Sequence, residues 1–355
     1  MALVVVEKCW SCGKAKAKSI CSVCKTAAYC NGDCQKTGWA SHKKECKEIV
    51  EKDLSETLIK DCIMGNVQKV HAALFTATGK VKANVNYTYT PPGKDAGLGL
   101  LFPLYCSLSI TDEKYGPNHL RIIELLLSAG ANPNLVGGTN AQSPLFLSCL
   151  HNRIDAVRVL LKGGADVNLA NATGDTPLSI CCEFSHTEIY FFLLTKYANP
   201  NLAQTDGTTP IMTAASHGNE EVIRTLVTHG GNVNLVTKTG LTAIGMAAKE
   251  GQPNVLRVLV TLGGDINQPD ETGATPVFLA AEMGHARTVQ ALFSCGALPS
   301  ANTPNNKGET PLDVATRCGL EQVEAVKRAR YEEVKRILID YGAKAGTLDS
   351  EEGVR

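Results

Sequence analysis

Apolar and small residues return every 33 positions along most of this chain. A Ser/Thr-Pro-apolar triplet marks each return, and the triplets begin at Ser143, Thr176, Thr209, Thr242, Thr275 and Thr310. The first five are spaced by 33 residues and the last by 35, with Ala in place of Pro after Thr242. Self-similarity at a period of this length predicts a stacked array of repeats rather than one closed core.

Within each repeat the pattern predicts two short helices and a loop. Proline opens the first helix, where no N–H donor is needed. A Val/Ile-x-x-x-Leu pattern such as Val222 and Leu226 predicts the second helix, and a Gly after it, as in GGNVN at 230–234, predicts a left-handed cap. Small pairs such as Ala214-Ala215 allow close helix packing. Cys149 and Cys182 fall in that column, so we expect them to be buried substitutes for Ala.

This pattern resembles ankyrin repeats over most of residues 53–343. The resemblance implies an all-α solenoid of helix pairs joined by β-hairpin loops. About eight units are expected, the first and last atypical because terminal repeats face water on one side. We assign 51–346 to this array and 347–355 to a disordered tail. The family usually has His after Thr-Pro-Leu, whereas here other residues follow, such as Phe146 and Met212. The usual hydrogen bonds between neighbouring hairpins are therefore in doubt.

Cysteine is concentrated near the N-terminus, where seven of the fourteen lie between residues 9 and 46. With one histidine they form eight candidate ligands: Cys9, Cys12, Cys21, Cys24, Cys30, Cys34, His42 and Cys46. Zinc takes four such ligands, so two ions fit. The spacing allows a sequential or an interleaved pairing. So short a segment cannot fold on its own apolar core, and metal must supply the folding free energy. With every position filled by protein, a hydrolytic zinc is not expected.

The ligand series, together with Tyr29, Gln35 and Trp39, resembles a MYND zinc finger, which we assign to residues 1–50. The resemblance implies interleaved binding of two structural zinc ions. Cys9, Cys12, Cys30 and Cys34 would hold one, and Cys21, Cys24, His42 and Cys46 the other. The family also binds short proline-rich peptides of the PxLxP type, which places Gln35 and Trp39 at the contact. A Trp face receives proline rings, and a Gln amide can bond an extended backbone.

The ankyrin resemblance also implies a concave face that binds a folded partner. By repeat position it comprises Leu150, His151, Glu183, Phe184, Ser216, His217, Lys249, Glu250, Glu282 and Met283. Phe184 and Met283 are its expected apolar anchors, flanked by charge.

Charge and hydropathy exclude several functional classes. The chain has 35 basic and 35 acidic residues. The zinc-loaded finger would carry a net charge of about +2 and the repeats about −5, which argues against direct contact with nucleic acid. No run of 18 apolar residues predicts a membrane span, and the first residues do not read as a secretory signal. We expect an intracellular monomer in the cytoplasm, the nucleus or both.

These features predict a non-enzymatic scaffold for protein–protein interaction. The alternative is a transcription or chromatin regulator recruited through protein partners. A more distant alternative is an enzyme such as a lysine methyltransferase, since MYND fingers also occur in that class. The repeats leave little chain for a catalytic domain, and neither a phosphate-binding loop nor a nucleophile elbow is present in the sequence.

Overall fold

The computed structural model describes residues 19–20, 28–29, 54–75, 83–89, 101–109, 116–322 and 324–346. Near the N-terminus, strands β1 (Ser19–Ile20) and β2 (Ala28–Tyr29) pair antiparallel, with Ser19 opposite Tyr29. Along the sequence, this ribbon brackets the segment that contains Cys21 and Cys24. All eight predicted zinc ligands, and Gln35 and Trp39, lie outside the described residues.

After the ribbon, the described residues form short helices that come in pairs. In chain order they are α1 (residues 54–63), α2 (Val67–Leu74), α3 (Pro103–Cys106), α4 (Pro117–Ser128), α5 (Pro144–Leu150), α6 (Ile154–Lys162), α7 (Pro177–Glu183), α8 (Thr187–Thr195), α9 (Pro210–Ser216), α10 (Glu220–Thr228), α11 (Ala243–Lys249), α12 (Pro253–Thr261), α13 (Pro276–Glu282), α14 (Ala286–Ser294), α15 (Pro311–Glu321) and α16 (Ala325–Asp340). A 3₁₀ helix, Leu298–Asn302, precedes α15. The last pair is longer than the other described pairs, which agrees with the expectation that the last unit is atypical.

The chain divides into two compact units, residues 1–147 with 158–165 and residues 148–157 with 166–355. In the first unit, α2 and α3 each pack against α4. Leu74, Ile122 and Leu126 are fully buried there and form part of its core.

The second unit is a two-layer stack. The first helices of its repeats, α7, α9, α11, α13 and α15, pack side by side in chain order. The second helices, α8, α10, α12, α14 and α16, form the other layer, and each also packs on the first helix of its own pair. Each repeat thus buries its apolar surface on its own partner helix and on its neighbours.

The helix starts follow from the Thr-Pro pairs. The hydroxyl of Thr176 accepts a hydrogen bond from the backbone N–H of Ser179 (3.1 Å), and the Ser179 hydroxyl oxygen accepts one from the Thr176 N–H (2.9 Å). Pro177 occupies the first turn, where the missing N–H costs nothing. Thr209 and Thr310 cap α9 and α15 in the same way. Such a cap contributes about 0.5–2 kcal/mol to stability.

Small side chains line the contacts between first helices. Ala214 and Ala215 of α9 and Ala248 of α11 are fully buried. Cys149 and Cys182, at the matching positions, are also fully buried, which confirms their prediction as substitutes for alanine. Close packing of this kind is sensitive to added volume, so these positions favour small residues.

Neighbouring loops of the second unit are joined through their backbones. The N–H of one loop donates to a carbonyl of the preceding loop in four places: Thr205 to Thr173, Lys238 to Asp206, Glu271 to Thr239 and Asn306 to Thr272, at 2.8–3.0 Å. Gly207 precedes Thr209 in this loop with φ of +91°, and a Cβ there would lie 2.8 Å from the Cα of Thr237 in the next loop. Glycine is therefore required both by the backbone angle and by the close approach.

Asparagine side chains add a second link between repeats. Asn201 donates from Nδ2 to the carbonyl of Gly230 (2.8 Å), and its Oδ1 accepts from the N–H of Asn232 (2.8 Å). Asn234 repeats the first bond to Gly263 (3.0 Å), and Asn168 repeats the second with the N–H of Asn199 (2.8 Å). The missing histidines had put bonding between hairpins in doubt. The structure instead joins the repeats through these amides and the backbone.

Among the described helices, none is long and apolar enough to cross a bilayer.

Candidate functional site

All ten residues predicted to bind a partner lie in the second unit, at the C-terminal ends of first helices. We call this the first-helix row, and it comprises Leu150, His151, Glu183, Phe184, Ser216, His217, Lys249, Glu250, Glu282 and Met283. Because α7, α9, α11 and α13 stack side by side, the ends of these helices follow one another along one edge of the layer. The stack therefore brings together residues that are about 33 positions apart in sequence.

Two apolar side chains of the row are accessible to solvent. Phe184 is 52% exposed and Met283 is 42% exposed, although each follows a helix whose other apolar side chains are buried. His217, Lys249 and Glu250 are also exposed. The remaining members are half-buried, namely Leu150, His151, Glu183, Ser216 and Glu282.

Phe184 is held in place by a histidine across a tight turn. Its ring stacks on His186, with ring centroids 5.9 Å apart and an interplanar angle of 23°. His186 in turn donates from Nδ1 to the carbonyl of Cys149 at the end of α5 (2.9 Å). A hydrogen bond with the Cys181 thiol raises the pKa of His186, although partial burial acts against it. The Phe184 ring is therefore supported by an imidazole ring that is itself hydrogen-bonded to the preceding repeat.

Several residues of the row form hydrogen bonds that involve backbone carbonyl oxygens at the helix ends. The Ser216 hydroxyl donates to the carbonyl of Thr213 (2.8 Å), and Nδ1 of His217 donates to the same oxygen (2.9 Å). At the far end, the hydroxyl of Tyr331 on α16 donates to the backbone carbonyl of Glu282 (2.9 Å). These bonds fix the ends of α9 and α13, so the exposed side chains project from a preorganised backbone.

Charges of both signs lie between the two apolar side chains. Glu183 precedes Phe184, Glu282 precedes Met283, and Lys249-Glu250 lies on the helix between them. Apolar anchors within a charged rim are the usual anatomy of a protein interface. The arrangement is suited to binding a folded surface and contains no paired acid and base directed at one point.

The buried thiols are unsuited to nucleophilic chemistry. Burial raises the pKa of Cys181 and of Cys182 well above the ordinary thiol value, and it raises that of Cys106 to about 12. The reactive form of cysteine is the thiolate, which these environments disfavour. Across the part of the chain that the structure describes, no three His, Cys, Asp or Glu side chains are grouped to hold a metal ion.

Sequence reasoning missed His186 and Tyr331. The first belongs to a set of histidines with no ligand spacing, and the second lies in the atypical last repeat. The sequence signal for His186 is its position two residues after Phe184. In the structure, Ser185 between them adopts φ of +55°. Tyr331 had no such signal, because its bond to Glu282 joins residues 49 positions apart.

The comparison with known families decides what kind of array this is. The family model "Ankyrin repeats" matches three times, at residues 114–204, 196–270 and 262–349, which together cover more than half of the chain. The chain belongs to the ankyrin-repeat family. Residues 9–46 of this ankyrin-repeat protein also match the model "MYND finger". The predicted order, a MYND zinc finger followed by a helical ankyrin array, is confirmed.

Two curated relatives resemble parts of this ankyrin-repeat protein. "N-lysine methyltransferase SMYD2-B" of Danio rerio is 46% identical over 46 residues, which are 13% of this chain and 10% of the relative. "Putative ankyrin repeat protein FPV024" of Fowlpox virus (strain NVSL) is 36% identical over 72 residues, 18% of this chain and 12% of the relative. The chain thus covers about a tenth of the length of each. The methyltransferase match is confined to the finger. MYND fingers bind zinc, and both modules are protein-interaction modules rather than catalytic ones.

Proposed function

We propose that this protein is a non-enzymatic scaffold that holds two protein partners at once. The finger binds a short proline-rich peptide, and the first-helix row binds a folded partner. The observation that carries the proposal is the row itself, where Phe184 and Met283 are exposed at fixed helix ends in a chain that also has a MYND finger. Two modest sites in one chain gain avidity when both engage the same assembly.

In the finger, we assign an interleaved pair of structural zinc ions. Cys9, Cys12, Cys30 and Cys34 hold one, and Cys21, Cys24, His42 and Cys46 hold the other. The short β1–β2 ribbon supports this assignment, because it brackets Cys21 and Cys24 and because Cys30 directly follows β2. The ions stabilise a segment too short to fold on its own apolar core. Trp39 then offers a flat apolar face to proline rings, and Gln35 bonds the peptide backbone.

In the array, Phe184 is the main anchor of the first-helix row and Met283 the second. Phe184 is rigid because it rests on His186, so little side-chain entropy is lost when a partner covers it. Met283 is flexible and adapts to an irregular surface. Lys249 and Glu250 between them select the partner by charge rather than supplying most of the affinity.

The finger is tested in the intact chain with two labelled peptides. One contains Pro-x-Leu-x-Pro, and in the control both prolines are alanine. We expect preference for the first peptide, and about tenfold weaker binding or worse for Trp39→Ala, with two zinc ions per chain in both proteins. Unchanged binding by Trp39→Ala, or equal binding of both peptides, would overturn the peptide role. A zinc content other than two would overturn the metal assignment.

The row is tested by proximity labelling in cells with the intact chain and Phe184→Ala. Val236→Ala is the matched control, because Val236 is an exposed apolar residue of a loop outside the row. We expect Phe184→Ala to lose a set of labelled proteins that Trp39→Ala and Val236→Ala retain. If Phe184→Ala labels the same proteins as the wild type, the row does not bind a partner.

A further inference from the structure

The fourth helix pair, α7 with α8, carries aromatic side chains on its second helix that no other pair has at those positions. Phe191 on α8 aligns at intervals of 33 with Arg158, Arg224, Arg257 and Gln290 on the other second helices. Those residues are polar, whereas Phe191 is apolar and 54% exposed. Its ring forms a T-shaped contact with His229 of the next repeat, with centroids 6.2 Å apart and planes at 82°. A solvent-facing position has therefore changed from polar to aromatic in this repeat.

The turn after α8 likewise has an exposed aromatic residue where the corresponding turns of other repeats do not. Tyr197 has φ of +63°, in the left-handed region, and is 90% exposed. The aligned residues are glycines with φ between +87° and +107°, namely Gly164, Gly230, Gly263 and Gly296. A bulky residue is disfavoured in this conformation, and the exposed ring of Tyr197 buries little in return. Backbone strain retained without a packing gain points to a role outside the fold.

Helix α8 as a whole differs from an ordinary surface helix. Six of its nine residues are apolar, whereas the next second helix, α10, has four of nine. Four of the six are buried, namely Ile189, Tyr190, Leu193 and Leu194, so the two that lie towards solvent are Phe191 and Phe192. Phe192 is partly exposed, and the ammonium of Lys196 lies 5.4 Å from its ring centre. We name Phe191, Phe192 and Tyr197 the outer aromatic patch.

The charged residues around the C-terminal part of this patch are basic. The sequence has no acidic residue from Ile189 to Thr205, nor from Val222 to Lys249. The cations there include Lys196 and the exposed Arg224, which lies on α10, a helix packed against α8. The nearest carboxylates along the two helices, Glu188 and Glu221, lie one turn towards the N-terminal ends. The C-terminal half of the surface is therefore aromatic and cationic.

We propose that the outer aromatic patch is a second docking surface, and that its occupant is a protein segment with bulky apolar side chains beside acidic ones. The apolar side chains pack on Phe191 and Tyr197, and the carboxylates face Lys196 and Arg224. This surface lies on the second helices and is separate from the first-helix row. It goes beyond the proposed scaffold function and does not depend on it.

The probe for this surface is a phage library of random 12-residue peptides, selected on the intact chain. A parallel selection uses the double variant Phe191→Arg with Tyr197→Gly, which restores the residues found in neighbouring repeats and should therefore fold. We expect the wild type alone to enrich peptides that combine bulky apolar and acidic residues. The same enriched set on both proteins, or patch-dependent peptides without acidic residues, would overturn the proposal.

The most enriched peptide is then synthesised and titrated by fluorescence anisotropy. We expect about tenfold weaker binding or worse for Phe191→Arg, and weaker binding for Lys196→Glu and Arg224→Glu, with no change for Phe184→Ala. Tyr197→Gly separates binding from structure, since it should weaken binding while raising the melting temperature. A lower melting temperature would instead make Tyr197 a structural residue. Sedimentation that shows a dimer lost in the double variant would identify the occupant as a second copy and overturn the proposal.

Discussion

Helices α8 and α10 occupy the same place in successive repeats. Their buried sides are alike, and the differences between them lie on the side that faces solvent. Ile189 and Leu193 of α8 are buried in the same way as Val222 and Leu226 of α10. On the outside, α8 presents Phe191 where α10 presents Arg224. The comparison teaches that the fold constrains the inner positions of each repeat and leaves the outer ones free. The free positions are where a repeat acquires a binding surface of its own.

The largest predicted effect tests whether the inner faces are equivalent. Leu193→Ala and Leu226→Ala remove matched, fully buried side chains from α8 and α10. Each should lower the free energy of unfolding by about 2–5 kcal/mol, through lost burial and the cavity that remains. Urea unfolding followed by circular dichroism measures both. If only one is costly, the two helices do not share one packing scheme.

The next effect concerns the link between the two repeats. Asn201→Ala removes the bond to the Gly230 carbonyl and the bond from the Asn232 N–H. We expect a loss of about 1–2 kcal/mol, since two modest hydrogen bonds disappear. Asn232→Ala is the comparison, because the Asn232 side chain accepts a hydrogen bond from the Asn234 N–H within its own loop (2.9 Å). Equal losses for Asn201→Ala and Asn232→Ala would argue that the bonds between repeats contribute no more than a bond within one loop.

A smaller effect is expected from exchanging the two turns. Tyr197→Gly should raise the free energy of unfolding by about 0.5–1 kcal/mol, because strain in the left-handed region exceeds the added chain entropy. Gly230→Tyr should lower it by a similar amount, since Gly230 has φ of +91°. Urea midpoints of the two variants compare them directly. Changes of the same sign in both would contradict an effect of backbone conformation.

The smallest effect on stability should come from Phe191→Arg. The side chain is largely outside the core, so the free energy of unfolding should change by less than about 0.5 kcal/mol. Arg224→Phe, the reverse exchange on α10, should be equally mild. Thermal unfolding of both variants checks this. A large loss for Phe191→Arg alone would show that Phe191 supports the fold.

Much of this architecture follows from the sequence because the determinants are local and repeated. Thr-Pro pairs fix helix starts, and the alignment of Cys149 and Cys182 with alanines indicates buried small residues. The turn after α8 reads YANPN where the next repeats read GGNVN and GGDIN, so the sequence alone shows a bulky Tyr197 at a glycine position. Exposure was harder to predict, because Phe191 and Leu193 are both apolar residues of α8, yet one side chain faces solvent and the other faces the core. Contacts such as Tyr331 with Glu282 depend on how distant helices stack, which a single sequence does not encode locally.

The hydrogen bonds that join each loop to the next make the unfolding of one repeat depend on whether its neighbours are folded. Each interior loop of the second unit is bonded on both sides, whereas a terminal loop loses one set of bonds. Opening should therefore begin at an end and advance repeat by repeat, as in a zipper. Amide hydrogen exchange would then be slowest in the middle of the stack and faster towards its end. The fourth and fifth helix pairs would remain closed longer than the terminal pair, and a partner bound there would be held while the terminus frays.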